Sequence, residues 1–130
     1  MSKPIWIEAE LVLAIDDRQL VEHGGATGLR DEALLHSALG GPMNQFAYES
    51  ADVVELAAKY TAGIVRNHPF VDGNKRTGFV VGILFLELNG YRFTASEEAA
   101  AQAILELAGG TMDEKAFCEF VRANSKRTRT

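Results

Sequence analysis

Apolar residues recur three and four positions apart along most of the 130-residue chain, and breaks rich in glycine, proline and asparagine cut the pattern into segments. Met1 to Ile7 reads as extended. From Glu8 to Glu22 the positions Leu11, Ala14 and Ile15 mark a first helix, which His23-Gly24-Gly25 ends. Ala26 to Arg30 is a turn, and Asp31 to Leu39 forms a short second helix around Leu34, Leu35, Ala38 and Leu39. Gly40-Gly41-Pro42 is expected to stop it. Met43 to Ser50 sets Phe46 and Tyr48 among polar residues, so an exposed loop or short flap is expected.

The pattern changes at Asp52. Up to Asn67, Val53, Leu56, Ala57, Tyr60 and Ile64 share one face while Val54, Ala58, Ala62 and Val65 cover a second, which marks a central, buried helix. After an interruption at residues 68–73 the same holds, with Val80, Ile83 and Leu84 on one stripe, Val81, Phe85 and Leu88 on another, and Asn89-Gly90 as the stop. Gly78 and Gly82 lie on one face, where each costs about 1 kcal/mol in helix propensity, so close approach by another helix backbone is expected. Ser96 opens an alanine-rich helix to Ala108, Gly109-Gly110 breaks it, and Thr111 or Asp113 caps a last helix with Phe117, Phe120 and Val121 at core spacing. Six helices and little strand define a compact all-α domain over residues 1–124, with 125–130 as a frayed basic tail.

Bulk properties narrow the classes. The chain is long enough for one core, and its 47% hydrophobic and 24% charged residues are ordinary for a globular protein. A formal charge of -5 opposes the counterion-release binding that nucleic acids reward, so no direct nucleic-acid partner is expected. The single Cys118 allows no internal disulfide, no signal peptide precedes the first helix, and no apolar run is long enough for a bilayer; a cytoplasmic protein without membrane contact is expected.

Candidate chemistry concentrates in the interruption, His68-Pro69-Phe70-Val71-Asp72-Gly73-Asn74-Lys75-Arg76-Thr77. Pro69 forces His68 to close one helix, and Asp72-Gly73 makes a turn and cap before a new helix opens at Asn74. A helix N-terminus carries unpaired N–H groups and positive dipole charge, and Lys75 and Arg76 add full charges there, an arrangement that asks for an anion. Histidine titrates near neutrality and suits a general base. Asp72 is an oxygen ligand of the kind Mg²⁺ takes beside substrate phosphates, and Asn74 has an amide to donate. Phosphoryl transfer needs these parts: positioning, a metal, cations and an oriented nucleophile. Singly, Asp72 could be only a cap and Lys75-Arg76 only a solvated first turn. A His–Asp zinc pair is disfavoured because Pro69 breaks the helix that would align the two. Phe70 reads as a hydrophobic anchor.

The stretch from His68 to Arg76 resembles the signature of the Fic/Doc family, and within it the death-on-curing (Doc) branch. His23-Gly24-Gly25, Gly28-Leu29-Arg30-Asp31, the Ser37-to-Pro42 stretch and Phe85-Leu86 to Asn89-Gly90 look like family features too. The resemblance implies a small all-α fold whose fourth and fifth helices hold the active loop. It implies that His68 is the base for a target hydroxyl, that Asp72 binds Mg²⁺, and that Gly73, Asn74, Lys75 and Arg76 hold the nucleotide phosphates. Arg66 looks like an arginine that the Doc branch places by the nucleotide; alternatively it only stabilises its helix dipole.

Lys75 sets the branch, since adenylyl-transferring Fic proteins usually have glycine there, whereas the lysine pattern is associated with reversed nucleotide and transfer of the γ-phosphate of ATP. The resemblance thus implies a toxin of a toxin–antitoxin pair that phosphorylates a threonine of elongation factor Tu, with a Phd-like antitoxin as partner. A Fic-type adenylyltransferase and a non-catalytic nucleotide- or protein-binding module are the alternatives. No Glu is followed by Gly or Asn, so the family's Ser/Thr-x-x-x-Glu-Gly/Asn inhibitory helix is absent, which leaves control to a separate chain. One position departs: Doc-like sequences have a His-Asp pair where this chain has Asp16-Asp17, far from the signature in sequence, which puts target or antitoxin contact in doubt.

Overall fold

The computed structural model describes residues 3–26 and 28–128. Met1 and Ser2 of the extended start, Thr27 of the expected turn, and Arg129 and Thr130 of the tail lie outside the described residues. Six helices and a two-stranded sheet follow in the order α1 (Ala9–His23), α2 (Glu32–Glu49), α3 (Val53–Asn67), α4 (Asn74–Leu88), β1 (Tyr91–Phe93), α5 (Glu97–Gly109), α6 (Glu114–Ala123) and β2 (Ser125–Arg127). The domain is all-α apart from that small sheet.

α3 is the axis of the molecule. A full capping box opens it, with Asp52 accepting from Glu55 N and Glu55 accepting from Asp52 N, each at 2.9 Å. Both of its expected apolar faces are buried, because α2, α4, α5 and α6 all pack on it. α4 lies closest, and the two glycines make that possible. A Cβ at Gly82 would collide with Thr61 Oγ1 and come within 2.9 Å of the Ala57 carbonyl oxygen, and one at Gly78 would meet Thr61 O at 3.2 Å. The contact is sealed by Thr61 Oγ1 donating to Gly78 O at 2.8 Å. α4 itself is buried on one face only: Val81 and Phe85 are buried, whereas Val80, Ile83 and Leu84 are half-buried and Leu88 is exposed. The loop at residues 68–73 joins the third and fourth helices, not the fourth and fifth.

α2 departs from expectation, for it runs straight through Gly40-Gly41-Pro42 and takes in the segment read as a flap. Pro42 removes one N–H, but Leu35, Ala38, Leu39 and Pro42 are buried along the same side, and Phe46 reaches Trp6 edge-on at 5.7 Å between ring centroids. Tertiary burial outweighs the roughly 3 kcal/mol of an interior proline. The tail also differs. Ser125–Arg127 pairs antiparallel with β1, Arg127 lies over the Tyr91 ring at 5.5 Å, and Thr128 N donates to Gly90 O at 2.8 Å. A cation over an aromatic face and three strand pairs hold a segment that its composition alone would leave loose.

In α1 the buried face is Val12, Asp16 and Leu20, not the stripe through Leu11 and Ala14. A carboxylate at the middle of the true stripe hides it from an apolar count.

Candidate active site

Residues 68–73 are held from inside by polar partners rather than by a helix. His68 closes α3 in the left-handed conformation, φ 49° and ψ 56°, a region that costs a non-glycine residue about 1 kcal/mol or more. Its N–H donates to Ile64 O at 3.2 Å, while its carbonyl accepts from Arg30 Nε at 2.7 Å and that of Asn67 from Arg30 Nη2 at 3.0 Å. Pro69 O accepts from the backbone N–H groups of Arg30 (2.7 Å) and Asp31 (3.0 Å), and Val71 N donates to Gly28 O at 3.0 Å. Segment 28–31 thus lies along the loop as a strap.

Asn74 closes the loop from the other side. Its Oδ1 accepts from Phe70 N at 3.0 Å, and its Nδ2 donates to Phe70 O at 2.9 Å and faces His68 Nδ1 at 3.3 Å. The amide is buried and fully engaged, so its work is to shape the loop and orient the imidazole. Any phosphate contact at this position falls to the backbone N–H. Phe70, 2% exposed, anchors the loop as expected.

α4 opens with an unusual cap. Gly73, at φ 81°, is the N-cap and supplies no side chain, while Asp72 Oδ1 accepts only from Gly73 N at 2.8 Å. Among the described residues, the N–H groups of Asn74, Lys75 and Arg76 find no acceptor, and the exposed Lys75 and Arg76 form no ion pair within 4 Å. Three unpaired donors and a helix dipole open α4, with the exposed Lys75 and Arg76 in the same first turn and Asn74 at its start facing His68, an arrangement that suits a phosphate chain. Asp72 lies at the rim, its Oδ2 against Gly25, where a Cβ would sit 2.7 Å from it.

Beneath this spot lies a residue that sequence distance concealed. Asp16, 1% exposed, accepts from Thr77 Oγ1 at 2.7 Å, and a Cβ on Gly73 would stand 3.2 Å from its Oδ1. Burial pushes its carboxyl above the usual aspartate range against the Thr77 hydrogen bond, and the charges of Asp17 and Asp72 push the same way. The one position that departs from the Doc pattern therefore floors the loop. Val12, Asp16 and Leu20 at four-residue spacing are the signal that could have found it.

Arg66 stands apart. Its Nη1 pairs with Glu114 Oε1 of α6 at 3.7 Å, with both side chains partly exposed, rather than with a loop residue. Arg30, to which no role was given, touches the loop three times. Lys75 and Arg76 line a groove of about 740 Å³ between α1, α4, β1 and α5, with His23, Phe79, Phe93 and Ile104 along it.

A single carboxylate, Asp72, beside the uncapped start of α4 fits the habit of Mg²⁺, which takes one or two carboxylates and leaves the rest to phosphates and water. Among the described residues no group of three or more His, Cys, Asp or Glu could cage a metal by protein alone.

The chain is 34% identical over 95 residues to the protein kinase doc of Escherichia phage P1, covering 72% of this chain and 75% of that one. It is 34% identical over 79 residues to the toxin Doc of Mycolicibacterium smegmatis, covering 58% of this chain and 59% of its relative. The model of the Fic/DOC family matches residues 6–86, a span that runs from just before α1 through the strap and the loop into the last turn of α4, and the chain belongs to that family.

Proposed function

We propose that this protein is a Doc-like toxin, a Mg²⁺- and ATP-dependent phosphotransferase that moves the γ-phosphate onto a protein hydroxyl, a threonine of elongation factor Tu, and so blocks translation. The observation that carries the reading is the uncapped start of α4, where three free N–H groups share a turn with Lys75 and Arg76 and Asn74 Nδ2 faces His68 Nδ1 at 3.3 Å. Similarity to a protein kinase and a toxin of the same family supports the kind of reaction.

In this reading His68 takes the proton of the target hydroxyl as its oxygen bonds to the γ-phosphorus. The bond from that phosphorus to the bridging oxygen breaks, and ADP leaves with the electron pair. Asn74 holds the ring, and the first-turn N–H groups, which Gly73 leaves uncapped, receive with Lys75 the charge that develops on the phosphate oxygens. Arg76 grips phosphate as a fork. Asp72 would hold Mg²⁺, which supplies charge neutralisation when bound. Arg66 would serve the nucleotide only after leaving Glu114, a loose pair that gives little resistance. A Phd-like antitoxin completes the pair, and the apolar groove that begins at Lys75 and Arg76 gives it a surface beside the site.

Expression in a growing bacterial culture tests the toxin reading. Wild type should arrest growth while His68→Ala, produced at the same level, should not. Normal growth with soluble wild type, or equal arrest by both, would contradict it.

A further inference from the structure

The side chain of Arg30 has no part in the chemistry above, yet it makes a specific contact with the machinery. Arg30 spends its backbone N–H, Nε and Nη2 on the carbonyls of Pro69, His68 and Asn67 in turn, at 2.7, 2.7 and 3.0 Å. It is exposed and forms no ion pair within 4 Å among the described residues. The carbonyls at a helix C-terminus lack intrahelical donors and carry the negative end of the dipole, so a guanidinium is well matched to them. Only its planar fork reaches two at once; an ammonium reaches them as a point charge.

The strap does not depend on that side chain. Val71 N to Gly28 O, Asp31 N to Pro69 O and the pairing of Leu29 with Phe70 are backbone contacts that a substitution at Arg30 leaves in place. What the side chain alone fixes is the peptide plane after His68, in a residue held at φ 49°. Those dihedrals set the direction of the Cα–Cβ bond and hence where the imidazole points.

We infer that Arg30 is a positioning residue that aims His68 by holding the carbonyls of Asn67 and His68. This rests on the phosphotransferase reading. A misplacement of about 1 Å can cost on the order of 100-fold in rate, so Arg30→Ala should lower kcat ~10- to 100-fold while KM for ATP changes less than about 2-fold. Arg30→Lys should fall between. The assay uses the full chain with purified elongation factor Tu and γ-labelled ATP, beside His68→Ala. On the same proteins, nitrogen-15 NMR of the His68 ring, without nucleotide, should show altered ring shifts in Arg30→Ala and a thermal melt close to wild type. Wild-type kcat in Arg30→Ala beside an inactive His68→Ala overturns the inference, as does a rate loss with unchanged ring resonances. If wild type transfers no label, the phosphotransferase reading fails by itself, and the resonances still decide whether Arg30 aims the ring.

Discussion

Two stretches of this chain carry helix breakers, and they end differently. At Gly40-Gly41-Pro42 the helix continues; at Pro69 to Gly73 it stops and restarts. At the first, burial continues on the same side from Leu35 through Leu39 and Pro42. Gly41 only makes room for the stem of Lys59, whose Cε would lie 3.2 Å from a Cβ there. Polar side chains surround Gly41, among them Gln45, Lys59 and Glu114, but among the described residues none hydrogen-bonds the helix backbone there. At the second, Arg30, Asn74 and the strap at 28–31 bond the carbonyls of Asn67, His68, Pro69 and Phe70 and the N–H groups of Phe70 and Val71. A breaker permits an interruption, and partners for the released N–H and C=O groups decide whether it occurs.

The largest way to sharpen that contrast is at His68. If the irregular loop is maintained for chemistry, His68→Ala should lose ~100-fold or more in transfer rate with an unchanged melting curve. A parallel loss of fold would make the residue structural. Asn74→Ala removes three hydrogen bonds and strands the buried N–H of Phe70, so a loss of ~2–4 kcal/mol is expected in denaturant unfolding. A loss under 1 kcal/mol would mean the loop is held by the strap alone. Glycine to alanine then separates the two stretches by sign. Gly73→Ala, at φ 81° and facing Asp16, should cost ~1–2 kcal/mol. Gly40→Ala, in mid-helix with open space around it, should gain ~0.5–1 kcal/mol. The same sign at both positions would break the contrast.

The smallest effect concerns the floor. The folded carboxyl of Asp16 is raised, so its contribution to stability is intact at acid pH and is lost as pH rises through that raised value. Asp16→Asn should therefore melt higher than wild type at pH 7, and the gain should shrink on acidification towards about pH 4, where an ordinary aspartate protonates in the unfolded chain as well. A gain that does not depend on pH would contradict the burial of a charge there.

Much of this was legible in the residues. The two apolar faces of α3, the close approach at Gly78 and Gly82, the break at Pro69 and the new helix at Asn74 all follow from spacing and backbone rules acting within a few positions. What was not legible depends on partners distant in the chain. Gly40-Gly41-Pro42 stays helical because of what it buries against, and 125–127 becomes a strand because Tyr91 to Phe93 lies beside it. Asp16 escaped because a buried carboxylate interrupts the stripe on which it lies. The side chains of Asn74 and Arg66 could be assigned a chemistry by type, but which atoms are already engaged, and with Glu114 in one case, is a three-dimensional fact.

The central claim is that phosphate moves from this loop to a protein hydroxyl, with Lys75 setting the branch. Purified protein incubated with Mg²⁺, elongation factor Tu and ATP labelled at either the α or the γ phosphorus tests it directly. The account predicts γ-label on the target protein and none from the α position. Label from the α position would mean adenylyl transfer and contradict it.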